Sequence, residues 1–326
     1  MGRYLVTGAA GFIGSKVAEF LLRDGHQVHG IDNLNDAYDP RLKRWRLERM
    51  QGDENLQFDE IDIVDRNGLS AAWMPESYDG IINLAARAGV RPSVRMPEVF
   101  IETNVIGALN LLELARERGV EKFVQASTSS LYGEHNPMPF REDADISRPF
   151  SPYASSKGAA EMLCHNFHHL HGLDVTILRY FTVYGPAGRP DMSIFRFIQW
   201  IAEGRPLRLY GDGLQERDFT FVDDIARGTI SALRPLGFEV INLGGDHPVR
   251  MNEVIRLIES YLEEQAHVQQ LETAPGDIRA TWADIHKAKQ LLGWKPEVPL
   301  EVGVKAAVDW YLRERAWAKT IDTQDI

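Results

Sequence analysis

Tyr153 and Lys157 stand four residues apart in the run Ser-Pro-Tyr-Ala-Ser-Ser-Lys. On a helix that spacing puts both side chains on one face. An ammonium beside a phenol favours the ionised form, and a phenol whose ordinary pKa is about 10 then becomes a base for a hydroxyl proton. Upstream, the apolar run from Lys122 ends in four consecutive hydroxyls, Ser127-Thr128-Ser129-Ser130. Such residues commonly satisfy turn backbone. At the carboxyl end of a strand in an open α/β sheet they also stand where ligands bind.

The elements that must position these groups begin at the N-terminus. Residues 4–6 are apolar and break into Gly8, Gly11 and Gly14, followed by Val17, Ala18, Leu21 and Leu22 at helical spacing. Strand, tight glycine turn and helix form the first step of a dinucleotide-binding unit, in which glycines let the backbone approach a pyrophosphate. The run Gln27 to Ile31 then ends in Asp32, placed to accept hydrogen bonds from a ribose and to repel a 2′-phosphate. The expected cofactor is NAD, not NADP.

Strands and helices continue to alternate. A charged stretch spans Arg41 to Arg49, and a short strand near Gln57 to Asp62 brings Asp62 and Ile63 toward an adenine edge. Gly80 to Asn83 reads as a strand running into Leu84, Ala85 and Ala86, whose small size lets backbone lie against the cofactor. Glu98 to Arg118 reads as one long helix closed by Gly119, and Lys122 to Ser127 as the next strand. The pattern predicts an α/β fold, a doubly wound parallel Rossmann sheet with a smaller C-terminal α/β substrate-binding lobe. The predicted domains are residues 1–184, with a strand return near 238–243, and residues 185–326. The helices around 98–118 and 153–171 carry apolar surface suited to a paired-helix homodimer.

With 326 residues the chain can bury a core without staples. Its only cysteine, Cys164, cannot form an internal disulfide and fits a reducing compartment. A strand starting near residue 4 leaves no room for a signal peptide, and no apolar run reaches membrane-spanning length, so the expected location is the cytoplasm. A net charge of −11 argues against nucleic-acid binding. Asp223 and Asp224 follow a strand and are expected to cap a helix and not to bind metal. The polar tail after Trp317 is expected to fray.

Together with Arg-Asp-Phe-Thr-Phe-Val-Asp-Asp at 217–224, these motifs resemble the extended short-chain dehydrogenase/reductases, in the NAD-dependent epimerase/dehydratase branch. The resemblance runs from residue 3 to about residue 313. Within the branch, residues 32–40, Ala-Gly-Val-Arg at 88–91 and residues 180–192 are similar to the UDP-glucuronate 4-epimerases. The resemblance implies Thr128, Tyr153 and Lys157 as catalytic residues. It implies cofactor contacts from the glycine turn with Phe12 and Ile13, from Asp32, Asn33, Asp62, Ile63 and Leu84 to Ala86, and from Asn104, Ser127, Tyr180 and Val183. It implies a UDP-sugar substrate held by Thr128, Ser129, Ser130, Thr182, Arg189, Met192, Ser193, Phe195, Leu209, Tyr210, Arg217 and Asp277. Arg189 is the candidate for pairing with a carboxylate or the diphosphate.

Departures from the branch narrow the substrate. Relatives that dehydrate at positions 4 and 6 carry Asp-Glu after the catalytic Thr, where this chain has Ser129-Ser130. Neutral-sugar epimerases commonly have Asn where Thr182 stands. Hydroxyls in both places suit a carboxylate, which favours C4 epimerisation of UDP-glucuronate. A UDP-glucose 4-epimerase, a UDP-glucuronate decarboxylase and a cofactor-sensing protein on a dead dehydrogenase scaffold are the competing readings. Two further departures, Asn83 where His is usual and Arg87 where a neutral residue is usual, have no reading from sequence.

Overall fold

The computed structural model describes residues 1–73, 78–272 and 278–323; Asp277 lies outside them. The first half of the chain runs β1 (Arg3–Thr7), α1 (Phe12–Arg23), β2 (Gln27–Asp32), α2 (Pro40–Glu48), β3 (Leu56–Glu60), α3 (Arg66–Ala72) and β4 (Gly80–Asn83). Short helices α4 (Val90–Arg95) and α5 (Pro97–Ile101) lead through a π-helical turn, Glu102–Ile106, into α6 (Gly107–Arg118). Then come β5 (Lys122–Thr128), a 3-10 turn at Ser129–Leu131, α7 (Pro152–His171) and β6 (Asp174–Tyr180). The second half runs β7 (Thr182–Tyr184), α8 (Ser193–Ala202), β8 (Leu207–Tyr210), β9 (Glu216–Phe221), α9 (Val222–Ser231) and β10 (Phe238–Leu243). It closes with β11 (Pro248–Arg250), α10 (Met251–Leu262), β12 (Val268–Leu271), α11 (His286–Leu292) and α12 (Leu300–Ala318).

Seven strands form one parallel sheet in the order β10-β6-β5-β4-β1-β2-β3, so the fold is the doubly wound α/β sheet that the motifs demand. Successive residues on the inner strands are buried on opposite faces: Leu5 and Val6, Ile81 and Ile82, Phe123 and Val124, Ile177 and Leu178. This is why those strands read as continuous apolar runs. The order reverses between β1 and β4, and the crevice at their carboxyl ends is the natural ligand site. Strand β10 returns to this sheet beside β6. The other late strands make two small sheets, β11-β9-β7 and β12-β8, packed with α8, α10 and α12 around Phe195, Trp200, Trp310 and Tyr311.

Local rules set the helix ends. Helix α7 starts at Ser151, whose hydroxyl accepts from the Ala154 N–H at 3.2 Å, has Pro152 in its first turn, and ends at Gly172 in the left-handed region. The segment expected as one helix over 98–118 is interrupted by the π turn, which turns Asn104 inward. The tail does not fray up to Thr323. Ile321 and Thr323 are buried, and α8 holds them: Gln199 Nε2 donates to the Ala318 and Ile321 carbonyls, Trp200 Nε1 to Thr323 Oγ1, and Arg196 Nε to the Thr323 carbonyl. Hydrogen-bonded burial overrides a polar composition that sequence reads as loose. No described helix is long and apolar enough to cross a membrane.

Candidate active site

The turn between β1 and α1 accepts only glycine. A Cβ at Gly8 would lie 2.7 Å from the Ala85 nitrogen, one at Gly11 2.9 Å from the Gly8 carbonyl oxygen, and one at Gly14 2.0 Å from that same oxygen. Gly11 caps α1 without a side-chain hydrogen bond, so the first amides of the helix, at Phe12 and Ile13, remain as donors for an anion. Donors, positive helix end and stripped turn fit the pyrophosphate of a dinucleotide. Leu84, Ala85 and Ala86, half-buried after β4, form the opposite lip.

Asp32 ends β2 and is buried. Its Oδ2 accepts from the Ala10 N–H at 3.2 Å, and Oδ1 from the Leu34 N–H at 2.9 Å and Lys43 Nζ at 3.3 Å. Lys43 and Arg46, which have no individual reading from the sequence, join Asp32 and the glycine turn. Both are buried inside the stretch read only as charged. Arg46 donates to the carbonyls of Ala10 and Ala187 and to the Tyr38 hydroxyl, tying the glycine turn to the loop that carries Arg189. Their signal is the position of α2 directly after Asp32; polarity alone hides it.

Asn33 Nδ2 donates to Asp62 Oδ2 at 2.7 Å, and Ile63 packs within 2.5 Å of where a Gly107 Cβ would be. Asn104 is engaged within the protein: it accepts from the Arg87 N–H and donates to the Arg87 carbonyl and Ser156 Oγ, so it braces the β4 loop. The unusual Asn83 is the middle of a buried row, accepting from Thr7 Oγ1 and donating to Gln125 Oε1. Tyr180, expected at the cofactor, is buried with its hydroxyl 2.9 Å from Thr229 Oγ1 on α9.

The carboxyl end of β5 brings the hydroxyl cluster together with α7. Thr128 Oγ1 donates to Ser130 Oγ and accepts from the Ser130 N–H, each at 3.2 Å, which fixes the 3-10 turn carrying Ser129. Ser127 Oγ donates to Glu161. Burial pushes the Tyr153 phenol up, while the Thr128 hydroxyl and then the Arg189 charge pull it down. Lys157 is 3% exposed, and burial draws its ammonium down to about 8 against the opposing charges of Glu161 and Cys164. Asp191, paired with Arg189, works against that cation's pull on the phenol, and Lys157 stands one helical turn from Tyr153 on the same helix.

Across the crevice, Thr182 and Val183 of β7, Arg189 and Met192 before α8, and Ser193 and the buried Phe195 in its first turn line one cleft. Arg189, expected to await an anion, already meets Asp191: Nε donates to Oδ1 at 3.0 Å and Nη2 to Oδ2 at 2.5 Å, with a further bond to the Ala88 carbonyl. Leu209 is buried, whereas Tyr210 carries the Arg91 guanidinium 4.2 Å over its ring. Arg217 Nη1 donates to the Glu216 carbonyl. Asp223 and Asp224 do not cap α9, whose N-cap makes no side-chain bond. Asp223 lies 3.6 Å from Lys16, and buried Asp224 accepts from the Val298 N–H and pairs with Arg227.

A doubly wound sheet with a glycine turn, an acid after β2 and a Tyr/Lys pair opposite strand-end hydroxyls defines a dinucleotide-dependent enzyme of the short-chain dehydrogenase/reductase type. The profile of the family described as GDP-mannose 4,6 dehydratase matches residues 5–307, and the chain belongs to that extended short-chain dehydrogenase/reductase family. It is 53% identical over 311 residues to a UDP-glucuronate 4-epimerase of Thermodesulfobacterium geofontis, covering 95% of this chain and 96% of the relative. The fold is similar to that of UDP-glucuronic acid 4-epimerase from Bacillus cereus in complex with UDP-glucuronic acid and NAD, with a TM-score of 0.89, 37% identity and coverage of 96% and 99% of the two chains. UDP-glucose 4-epimerase from Thermotoga maritima, solved with UDP-glucose, matches with the same TM-score at 34% identity and covers 96% and 99%.

Proposed function

We propose that this protein is an NAD-dependent nucleotide-sugar 4-epimerase that interconverts UDP-glucuronate and UDP-galacturonate. The observation that carries the reading is the run of neutral hydroxyls Thr128, Ser129 and Ser130 at the end of β5, where a dehydratase places two acids beside its catalytic Thr, together with Thr182 and Arg189 in one cleft. NAD, held by the glycine turn, Asp32 and Lys157, supplies reversible two-electron redox at the sugar's C4.

The side chains do the rest. Thr128 orients the 4-hydroxyl by hydrogen bonding, and Tyr153 takes its proton and, once the 4-keto sugar has turned its other face toward the cofactor site, returns one to the C4 oxygen. Burial raises the phenol's proton affinity, and the Thr128 hydroxyl and then Arg189 oppose that rise while Asp191 adds to it. Oxidation at C4 makes the C6 carboxylate that of a β-keto acid, which loses carbon dioxide when the breaking bond aligns with the carbonyl π system. Hydroxyls of Ser129, Ser130 and Thr182 hold the carboxylate out of that alignment, a use of positioning to suppress a reaction.

The same proposal assigns residues 1–184 and the β10 return to the cofactor domain and 185–326 to the nucleotide-sugar lobe, with Met192, Ser193, Phe195, Leu209, Tyr210, Arg217 and Asp277 toward the nucleotide. It includes a homodimer through the helical segment 98–118 and α7, supported by the exposed Ile101, Ile106, Met162 and Leu170, and a cytoplasmic location. Purified protein given UDP-glucuronate and, separately, UDP-glucose tests the substrate by NMR. UDP-galacturonate from the first is expected; turnover of UDP-glucose alone would replace this reading with a neutral-sugar epimerase.

A further inference from the structure

Tyr153, Lys157 and Glu161 follow one another on α7 at successive i, i+4 positions. The chemistry of the first two does not explain the third. Glu161 is buried between α7, β5 and β6. Its Oε1 accepts from Ser127 Oγ at 2.5 Å and Arg179 Nε at 3.0 Å, and its Oε2 accepts from Arg179 Nη2 at 2.7 Å. Arg179 thus grips the carboxylate with both arms of its fork. Its remaining nitrogen donates to the Tyr132 hydroxyl at 3.0 Å and the Glu142 carbonyl at 3.1 Å, and Tyr132 donates to Asn242 at 2.6 Å. Bonds therefore run from β10 through β6 to α7 and β5.

A buried ion pair is a poor way to stabilise a core, since well-packed apolar residues often do as well or better. One turn away, Lys157 offers another reason for it. Among the described residues none hydrogen-bonds its ammonium, and the charges that act on it are those of Glu161 and Cys164. Tyr153, Glu161 and Cys164 lie on neighbouring turns of its own helix; Ser127 on β5 and Arg179 on β6 bond Glu161, while Thr128 and the Arg189–Asp191 pair bear on Tyr153. Burial keeps the Cys164 thiol protonated. Glu161, paired with Arg179 and one helical turn from Lys157, is the carboxylate that α7 itself supplies.

We propose that Glu161, clamped by Arg179, is a positioning residue whose carboxylate is the counter-charge that holds Lys157 as an ammonium in its buried seat, ready for the nicotinamide ribose. The role rests on the NAD-dependent reading above, and its test is a binding measurement that does not depend on which sugar is turned over.

The measurement is the affinity of the full-length protein for NAD+ by calorimetry, from about pH 6 to about pH 10. In the unmodified protein affinity falls above a midpoint near 8 as Lys157 loses its proton. Lys157→Met abolishes that alkaline limb. Glu161→Gln keeps the size and an acceptor oxygen but removes the charge, and moves the midpoint down by about one pH unit, so that at pH 8 affinity drops several-fold. Glu161→Asp keeps the charge but retreats from Ser127 and Arg179, and leaves the midpoint in place even where it lowers the melting temperature. A purely structural brace gives the reverse order, with Asp the more disruptive change. The proposal is overturned if Glu161→Asp moves the midpoint as far as Glu161→Gln, if Glu161→Gln leaves it unmoved, or if the limb survives in Lys157→Met. Should Glu161→Gln not fold, a shifted midpoint in Glu161→Asp overturns the proposal and an unshifted one supports it. Absence of NAD+ binding at every pH would instead sink the NAD-dependent reading itself.

Discussion

Replacing Lys157 by Met should stabilise the cofactor-free protein while removing its activity. The amine is 3% exposed, and burial lowers its pKa from 10.5 to about 8. Each pH unit of such a fall corresponds to about 1.4 kcal/mol, so charged Lys157 costs the fold at most about 3.5 kcal/mol at neutral pH. The sign follows from proton counts. Between about 8 and 10.5 the unfolded chain holds the proton more tightly, so this group's contribution to stability rises with pH across that window. Below about 8 the penalty is complete and constant. Met has a similar length and no charge to desolvate, and should recover up to that amount. Urea unfolding of both proteins, stripped of cofactor, should show the variant ahead by about 1–3 kcal/mol at neutral pH. The gap should close toward pH 10.5. With saturating NAD+ the order should reverse, because only the unmodified protein gains the full binding energy. A variant that is less stable at neutral pH, or a gap that ignores pH, would refute the argument.

Three further outcomes follow from the site. Tyr153→Phe should cut turnover at least about a hundredfold with NAD+ affinity and melting temperature little changed, because it removes the proton acceptor and almost no volume; kinetics beside calorimetry checks both halves. Thr182→Ala or Ser130→Ala should slow epimerisation of UDP-glucuronate and raise the share of decarboxylated product seen by mass spectrometry, since each lost hydrogen bond to a charged group is worth about 1.5–3 kcal/mol. Thr323→Val removes the hydroxyl that bonds Gln199 and Trp200 and should lower stability by about 1–3 kcal/mol in urea unfolding.

The parts legible in the sequence were those governed by local rules. The Gly8–Gly11–Gly14 turn, the Asp32 strand end, the Gly119 cap and the i, i+4 Tyr153–Lys157 pair each follow from backbone geometry within a few residues. What stayed hidden depends on partners far along the chain. Lys43 and Arg46 look like solvated charges until α2 folds against Asp32, Ala10 and Ala187. The tail looks loose until Gln199 and Trp200 bind it. Arg189 looks free because nothing in the sequence shows that Asp191, two residues on, would fold back onto it. The π turn that aims Asn104 is set by tertiary hydrogen bonds to Arg87 and Ser156, which override a periodicity favouring an unbroken helix.

The central claim, inversion at C4 of an intact uronate by a proton acceptor at Tyr153, is tested most directly by proton NMR of UDP-glucuronate turned over in D2O. UDP-galacturonate that keeps protium at C4 is expected, with no pentose product and no conversion by Tyr153→Phe. Deuterium at C4, a decarboxylated product as the main outcome, or full conversion by Tyr153→Phe would contradict it.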